Sequence, residues 1–123
     1  MCIRDRIIFL NRIRFVENEP VVSVMNFIPY ELCPGLINED LENKSLYRTL
    51  INKYELKPYR AKITLEPIVA EEYDSQILKI KLGAPMHLMQ NITYTKDNIA
   101  MDYFESRFRG DKGKVRVELY NEI

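Results

Sequence analysis

Alternation of apolar and polar residues dominates this chain. Residues 11 to 16 put Arg12, Arg14 and Val16 on one side and Ile13 and Phe15 on the other, and Val21 to Ile28 reads as a second β-rich stretch. Asn18-Glu19-Pro20 supplies the turn of a hairpin between them. Pro29 to Asn43, with Pro34-Gly35 inside it, predicts a loop carrying one helical turn. Ser45 then predicts an N-cap. After it Leu46, Leu50 and Tyr54 recur every four residues beside Tyr47 and Ile51, which predicts a short amphipathic helix to Tyr54. Lys62 to Val69 alternates again, with Ile63, Leu65 and Val69 on one face. Ala70 to Lys79 returns to helical spacing, with Glu71 and Glu72 in the first turn and Lys79 in the last, as the helix dipole favours; Gly83 and Pro85 stop it. Met86 to Tyr94 and Ala100 to Phe108 predict strands joined by a turn around Lys96-Asp97-Asn98, and Val115, Val117 and Leu119 predict one more. Five or six strands and two helices in no βαβ order predict an α+β domain on a mostly antiparallel sheet with short helices.

Composition narrows the function classes. A chain of 123 residues with 46% hydrophobic content suits one domain, which at this size buries roughly 65% of the surface its unfolded form exposes. The formal net charge is zero, so the polypeptide has no electrostatic footprint for a nucleic-acid backbone and is by itself a poor DNA binder. Apolar runs such as Ile7 to Leu10 are far shorter than the roughly 20 residues of a membrane helix. Cys2 and Cys33 are too few for a disulfide framework and lie near no metal-type partners, which fits a reducing cytoplasm. His87 is the only histidine, so neither a metal nor a cofactor is expected. Met1-Cys2-Ile3-Arg4-Asp5-Arg6 reads as a translated sequencing-adapter tail fused to an incomplete gene; residues 1–6 are therefore set aside as a non-native start, and residues 7–120 are taken as the domain. A secretion signal does not fit, because the apolar run breaks at Asn11-Arg12 and no small-residue cleavage site follows.

Arg12 and Arg14 are two apart on a predicted strand, so both guanidinium groups leave the same face. Two such forks suit a carboxylate or phosphate; a solvated strand face, or ion pairs with Glu17 or Glu19, is the plain alternative. Ser45-Leu46-Tyr47 offers a hydroxyl, outward-pointing N–H groups and a phenol at a helix start, which is either an anion site or an ordinary N-cap followed by a core tyrosine. Cys33 beside Pro34 has no histidine partner and reads as a buried or half-buried thiol. Arg109-Gly110-Asp111 matches a cell-adhesion tripeptide, but every other signal is cytoplasmic.

The order Arg12-Ile13-Arg14, Glu19-Pro20, Phe27-Ile28-Pro29, Ser45-Leu46-Tyr47, Ile80 to Pro85 and Phe108-Arg109-Gly110-Asp111 resembles the UTRA domain, the effector-binding half of GntR-type transcription regulators of the HutC subfamily, from about Ile7 to Glu118. The resemblance implies a chorismate-lyase-like fold, a homodimer, and a winged helix-turn-helix DNA-binding domain preceding Ile7 and missing from the chain. It implies a small anionic effector such as a sugar phosphate, with Arg12, Arg14, Ser45, Tyr47 and Asp102 as the effector-binding residues. Asp102 stands where members usually carry glutamate, and the Arg-Gly-Asp motif is structural in the family. Two departures remove polar groups: Val24 replaces a frequent glutamate and Phe108 a tyrosine, which shifts the expectation from an aminosugar phosphate toward a smaller or more apolar anion. The competing readings are a chorismate-lyase-like enzyme using Arg12, Arg14 and Asp102, and a stand-alone dimerisation adaptor without ligand. The order of motifs is that of a regulator rather than an enzyme.

Overall fold

A computed structural model describes residues 2–4 and 6–118. Six strands form one sheet: β1 (Cys2–Arg4), β2 (Ile7–Val16), β3 (Glu19–Pro29), β4 (Arg60–Val69), β5 (Pro85–Tyr94) and β6 (Ala100–Arg109), in spatial order β1-β2-β3-β6-β5-β4 with every neighbouring pair antiparallel. Two α-helices, α1 (Leu46–Tyr54) and α2 (Glu72–Leu78), and two single 3-10 turns complete the described elements. This is the expected α+β architecture.

The β2–β3 hairpin turns one position earlier than the Asn18-Glu19-Pro20 signal suggests. Glu17 and Asn18 both have left-handed backbones, φ 50° and 66°, and a two-residue connection of that hand matches the twist of the flanking strands. Glu19 and Pro20 thus begin β3, where Pro20 faces Phe15 just past an irregularity in the register. Ser45 caps α1 as expected, its Oγ accepting from the Arg48 N–H at 3.4 Å. Glu71 caps α2 in a reciprocal box with Asp74, whose carboxylate accepts from the Glu71 N–H at 2.9 Å. Lys79 is the left-handed residue that ends α2, φ 56°, rather than a cation in its last turn.

Residues 2–4 pair with Ile7 to Phe9 at the edge of the sheet. One further element departs from the pattern. Residues 113–118 form no strand despite the alternation of Val115 and Val117; Leu119 lies outside the described residues. The reason is positional: β3 and β5 already flank β6, and the Gly113 N–H turns back to the Arg109 carbonyl at 2.9 Å.

The helices sit on opposite faces of the sheet. On one face Leu46 and Leu50 of α1 join Ile8, Leu10 and Ile28, with Leu36 and Cys33 of the intervening loop closing the cluster. Leu50 is fully buried, a burial that stabilises by about 1.5–3 kcal/mol. On the other face Leu78 of α2 packs with Met86 and Ala70. There Asp74 receives two hydrogen bonds from Arg107, at 2.7 and 2.8 Å, which clamps α2 to β6. The outer strand β4 is exposed almost throughout, including Ile63, Leu65 and Val69.

Candidate functional site

The period of two decides which side chains meet on the α1 face. Arg12 stands opposite Val24, Leu10 opposite Asn26, and Asn26 opposite Phe104, so Arg12, Arg14, Asn26 and Asp102 share one face of β2, β3 and β6. The Arg12 guanidinium donates to Asn26 Oδ1 at 3.2 Å, and Asn26 Nδ2 donates to both Asp102 oxygens at 3.0 and 3.1 Å. Tyr47 reaches down from α1 and donates to Asp102 Oδ2 at 2.8 Å. Its oxygen also lies 3.0 Å from Thr93 Oγ1, which accepts from Asn91 at 2.7 Å. The result is a buried polar relay from the arginine pair to the middle of the sheet.

Electrostatics leave the arginine end unsatisfied. Burial, and then the neighbouring positive charge of Arg14, lower the Arg12 pKa, with the Asp102 carboxylate opposing. Arg12 Nε is buried without a hydrogen-bond partner among the described residues. Arg14 has no ion pair or hydrogen bond there either; Glu19, a candidate partner, faces Arg109 and Lys112 instead. Asp102 is 1% exposed, and burial raises its pKa against the stabilising bonds from Tyr47 and Asn26 and the charge of Arg12. Burial likewise raises the Tyr47 hydroxyl, helped by the Asp102 charge, so it stays a proton donor.

Beside Arg12 and Arg14 lies an open cleft of about 440 Å³, lined also by residues 42–47. The first turn of α1 opens into it, where the N–H groups of Leu46 and Tyr47 have no intrahelical acceptor. Lys44 and Ser45 stand on the rim. Two guanidinium groups and a helix N-terminus border one volume, with the Glu42 carboxylate also in its lining and the Lys44 ammonium held by Glu39 at 3.2 Å; paired arginines beside a helix N-terminus are groups that bind an oxyanion. A second groove of about 790 Å³ continues along β2 past Ile37 and Leu41 to Tyr73 and Ile77. Among the described residues no cluster of histidine, cysteine and carboxylate side chains suits a metal ion.

Residues 3–114 match the UTRA domain family. The chain belongs to the UTRA family. Among curated proteins, this UTRA domain is 32% identical over 103 residues to the HTH-type transcriptional repressor NagR of Bacillus subtilis, covering 84% of the chain and 42% of NagR. Of solved structures, a GntR-family transcriptional regulator from Enterococcus faecalis superposes with a TM-score of 0.84 at 25% identity, over 92% of this chain and 81% of that one. The effector domain of PhnF from Mycobacterium smegmatis superposes with a TM-score of 0.84 at 21% identity, over 94% and 70%. The UTRA domain spans under half the length of the curated relatives it matches, which are transcriptional regulators of the GntR family. It has the chorismate-lyase-like α+β fold of GntR-family effector domains.

Of the five residues singled out in the sequence, Arg12, Arg14, Ser45 and Tyr47 line the UTRA domain's smaller cleft. Asp102 lies beneath it and touches Tyr47 directly. Sequence reasoning missed Asn26, the bridge between Arg12 and Asp102, and the Thr93–Asn91 pair behind Tyr47. The signal was present: Asn26 is a polar residue at a core-facing position between Met25 and Phe27, and Asn91 and Thr93 alternate in the same way on β5. The Arg-Gly-Asp segment is tied up locally. Arg109 donates to both Asp111 oxygens at 2.8 and 3.0 Å and to the Pro20 carbonyl at 3.4 Å.

Proposed function

We propose that this UTRA domain senses a small anionic metabolite, whose phosphate or carboxylate sits between Arg12, Arg14 and the N-terminus of α1. The observation that carries this reading is the buried, unpartnered Nε of Arg12 beside the unpaired Arg14 in the cleft below Ser45. Tyr47 and Asp102 hold α1 over that cleft, and sugar phosphates are the effector class that the resemblance to other UTRA domains implies. In the whole regulator, binding biases the DNA affinity of a winged helix-turn-helix domain joined before Ile7. A coupling of about 1–3 kcal/mol suffices for that.

The reading includes a homodimer in the cytoplasm. The β4 edge supports self-association: among the described residues its backbone has no outer neighbour, and Ile63, Leu65, Val69 and the adjoining Tyr59 are 47–69% exposed. The buried free thiol of Cys33 agrees with a reducing compartment. An enzyme fits less well. A general base needs a carboxylate open to substrate, whereas both Asp102 oxygens are occupied by Asn26 and Tyr47.

Isothermal titration with phosphorylated sugars, sugar acids, nucleotides and small carboxylates tests the proposal against an Arg14→Ala control. Loss of a charge-assisted contact of about 1.5–3 kcal/mol weakens a true effector roughly 10- to 100-fold. Ligands that bind the control equally well would overturn the assignment.

A further inference from the structure

We propose that the effector carries an apolar body beside its anionic group, so that this domain selects alkyl or aryl phosphates and carboxylates over polyhydroxylated sugar phosphates. The inference rests on the anion-site reading of Arg12 and Arg14 and narrows it. Two rows of paired residues run from the arginines across the sheet. One passes from Arg12 to Val24, Ser106 and Met89; the other passes from Arg14 to Val22, Phe108 and His87. Directly paired residues share a face, so both rows lie on the same surface as the guanidinium groups. Val22, Val24, Met89 and Phe108 are half-buried and belong to neither hydrophobic cluster. Ser106 is sunk between them, 6% exposed.

A ligand held at Arg12 and Arg14 therefore meets side-chain hydrocarbon as it extends over the sheet. Hydroxyl groups laid on Val22, Val24, Met89 and Phe108 lose water without gaining a partner; the polar members of the rows are Ser106, 6% exposed, and His87 at the far end. Asp102, on the same face, is no remedy: it is 1% exposed and already accepts from Asn26 and Tyr47, and Glu42 lines the cleft beside residues 43–47, not the strip. Each methylene placed on the strip, by contrast, tightens binding by about two- to fourfold.

Isothermal titration of the full chain with hexyl phosphate, phenyl phosphate, glucose 6-phosphate and inorganic phosphate tests this, in the wild type and in Arg14→Ala, Val24→Glu and Val24→Thr. The expected result is that hexyl and phenyl phosphate bind at least about tenfold more tightly than glucose 6-phosphate. Val24→Glu and the milder Val24→Thr shrink that ratio, and Arg14→Ala weakens every phosphate. If glucose 6-phosphate binds as tightly as the apolar esters while Arg14→Ala weakens it, the apolar strip does not select the ligand, and the anion site stands without it. If no phosphate binds, or Arg14→Ala changes nothing, the anion site itself fails and this inference with it. Sedimentation supplies a further check: a Val24→Glu chain that turns from dimer to monomer with its ligand preference unchanged assigns the strip to a second copy and overturns the proposal.

Discussion

Replacing Arg107 by alanine breaks the clamp between α2 and the sheet and leaves Asp74 as a lone buried charge. Asp74 is 0% exposed and Arg107 contributes both of its side-chain partners, at 2.7 and 2.8 Å. The Glu71 N–H alone then faces the carboxylate. Removing one partner of a buried pair costs about 3–5 kcal/mol, which at roughly 4 °C per kcal/mol lowers the melting temperature by about 12–20 °C. The pH dependence identifies the cause. Arg107 holds the Asp74 pKa below its ordinary value, so the wild-type contribution is complete above the unfolded value of about 3.9 and disappears as pH falls through the folded one. In Arg107→Ala burial instead favours the protonated acid, and the deficit relative to wild type is largest at neutral pH and shrinks on acidification. A cycle with Asp74→Leu completes the test, since removing both charges costs less than the sum of the single changes. Urea unfolding between pH 3 and 7 reads all of this. A deficit under about 1 kcal/mol at neutral pH, typical of an exposed pair, or one that does not vary with pH, would refute the reasoning.

Asp102 predicts the opposite slope. Its folded pKa is raised, so its carboxylate weakens the fold as pH climbs from the unfolded value toward the folded one, and Asp102→Asn removes that decline; urea unfolding curves that stay parallel across the range would contradict it. The absolute offset of this variant is a poorer readout, because an amide at 102 confronts the Asn26 amide. Gly110→Ala places a Cβ 2.6 Å from the Pro85 carbonyl oxygen, which already accepts the residue's own N–H at 2.9 Å. Neither backbone yields easily, so a loss of about 1–3 kcal/mol is expected in thermal melts, and an unchanged melting temperature would show that the contact relaxes.

What the sequence conveys here is period, and what it withholds is contact. Strands β3, β5 and β6 were legible because alternation is a local property, and Ser45 was legible as a cap because its partner, the Arg48 N–H, is three residues away. The hairpin was placed one residue late because Pro20 is a strong breaker signal, whereas the turn depends on left-handed backbones at Glu17 and Asn18. Val115 and Val117 carry a strand pattern, yet a strand needs a free neighbour and β6 has none. Asn26 was passed over because its partners are 14 and 76 residues away. The placement of α2 opposite α1 was hidden for the same reason: Asp74 and Arg107 are 33 residues apart, and nothing local pairs them.

Period two also separates what binds from what holds. On β3 and β6 the residues facing α1 include Asn26, Val24 and Asp102, while their alternates Ser23 and Arg107 face α2 through Tyr73 and Asp74. The α1 face keeps a buried guanidinium with an unsatisfied nitrogen and a carboxylate held above its ordinary pKa, both of which cost stability. The α2 face offsets this with an ion pair whose geometry is complete and a carboxylate held below its ordinary pKa. On the proposed reading, such a domain would tolerate changes in ligand preference at Val24 or Phe108, because those side chains belong to neither hydrophobic cluster. On the same reading, an anion arriving at Arg12 would stabilise the fold as well as bind to it, because it would supply the partner that Arg12 Nε lacks among the described residues.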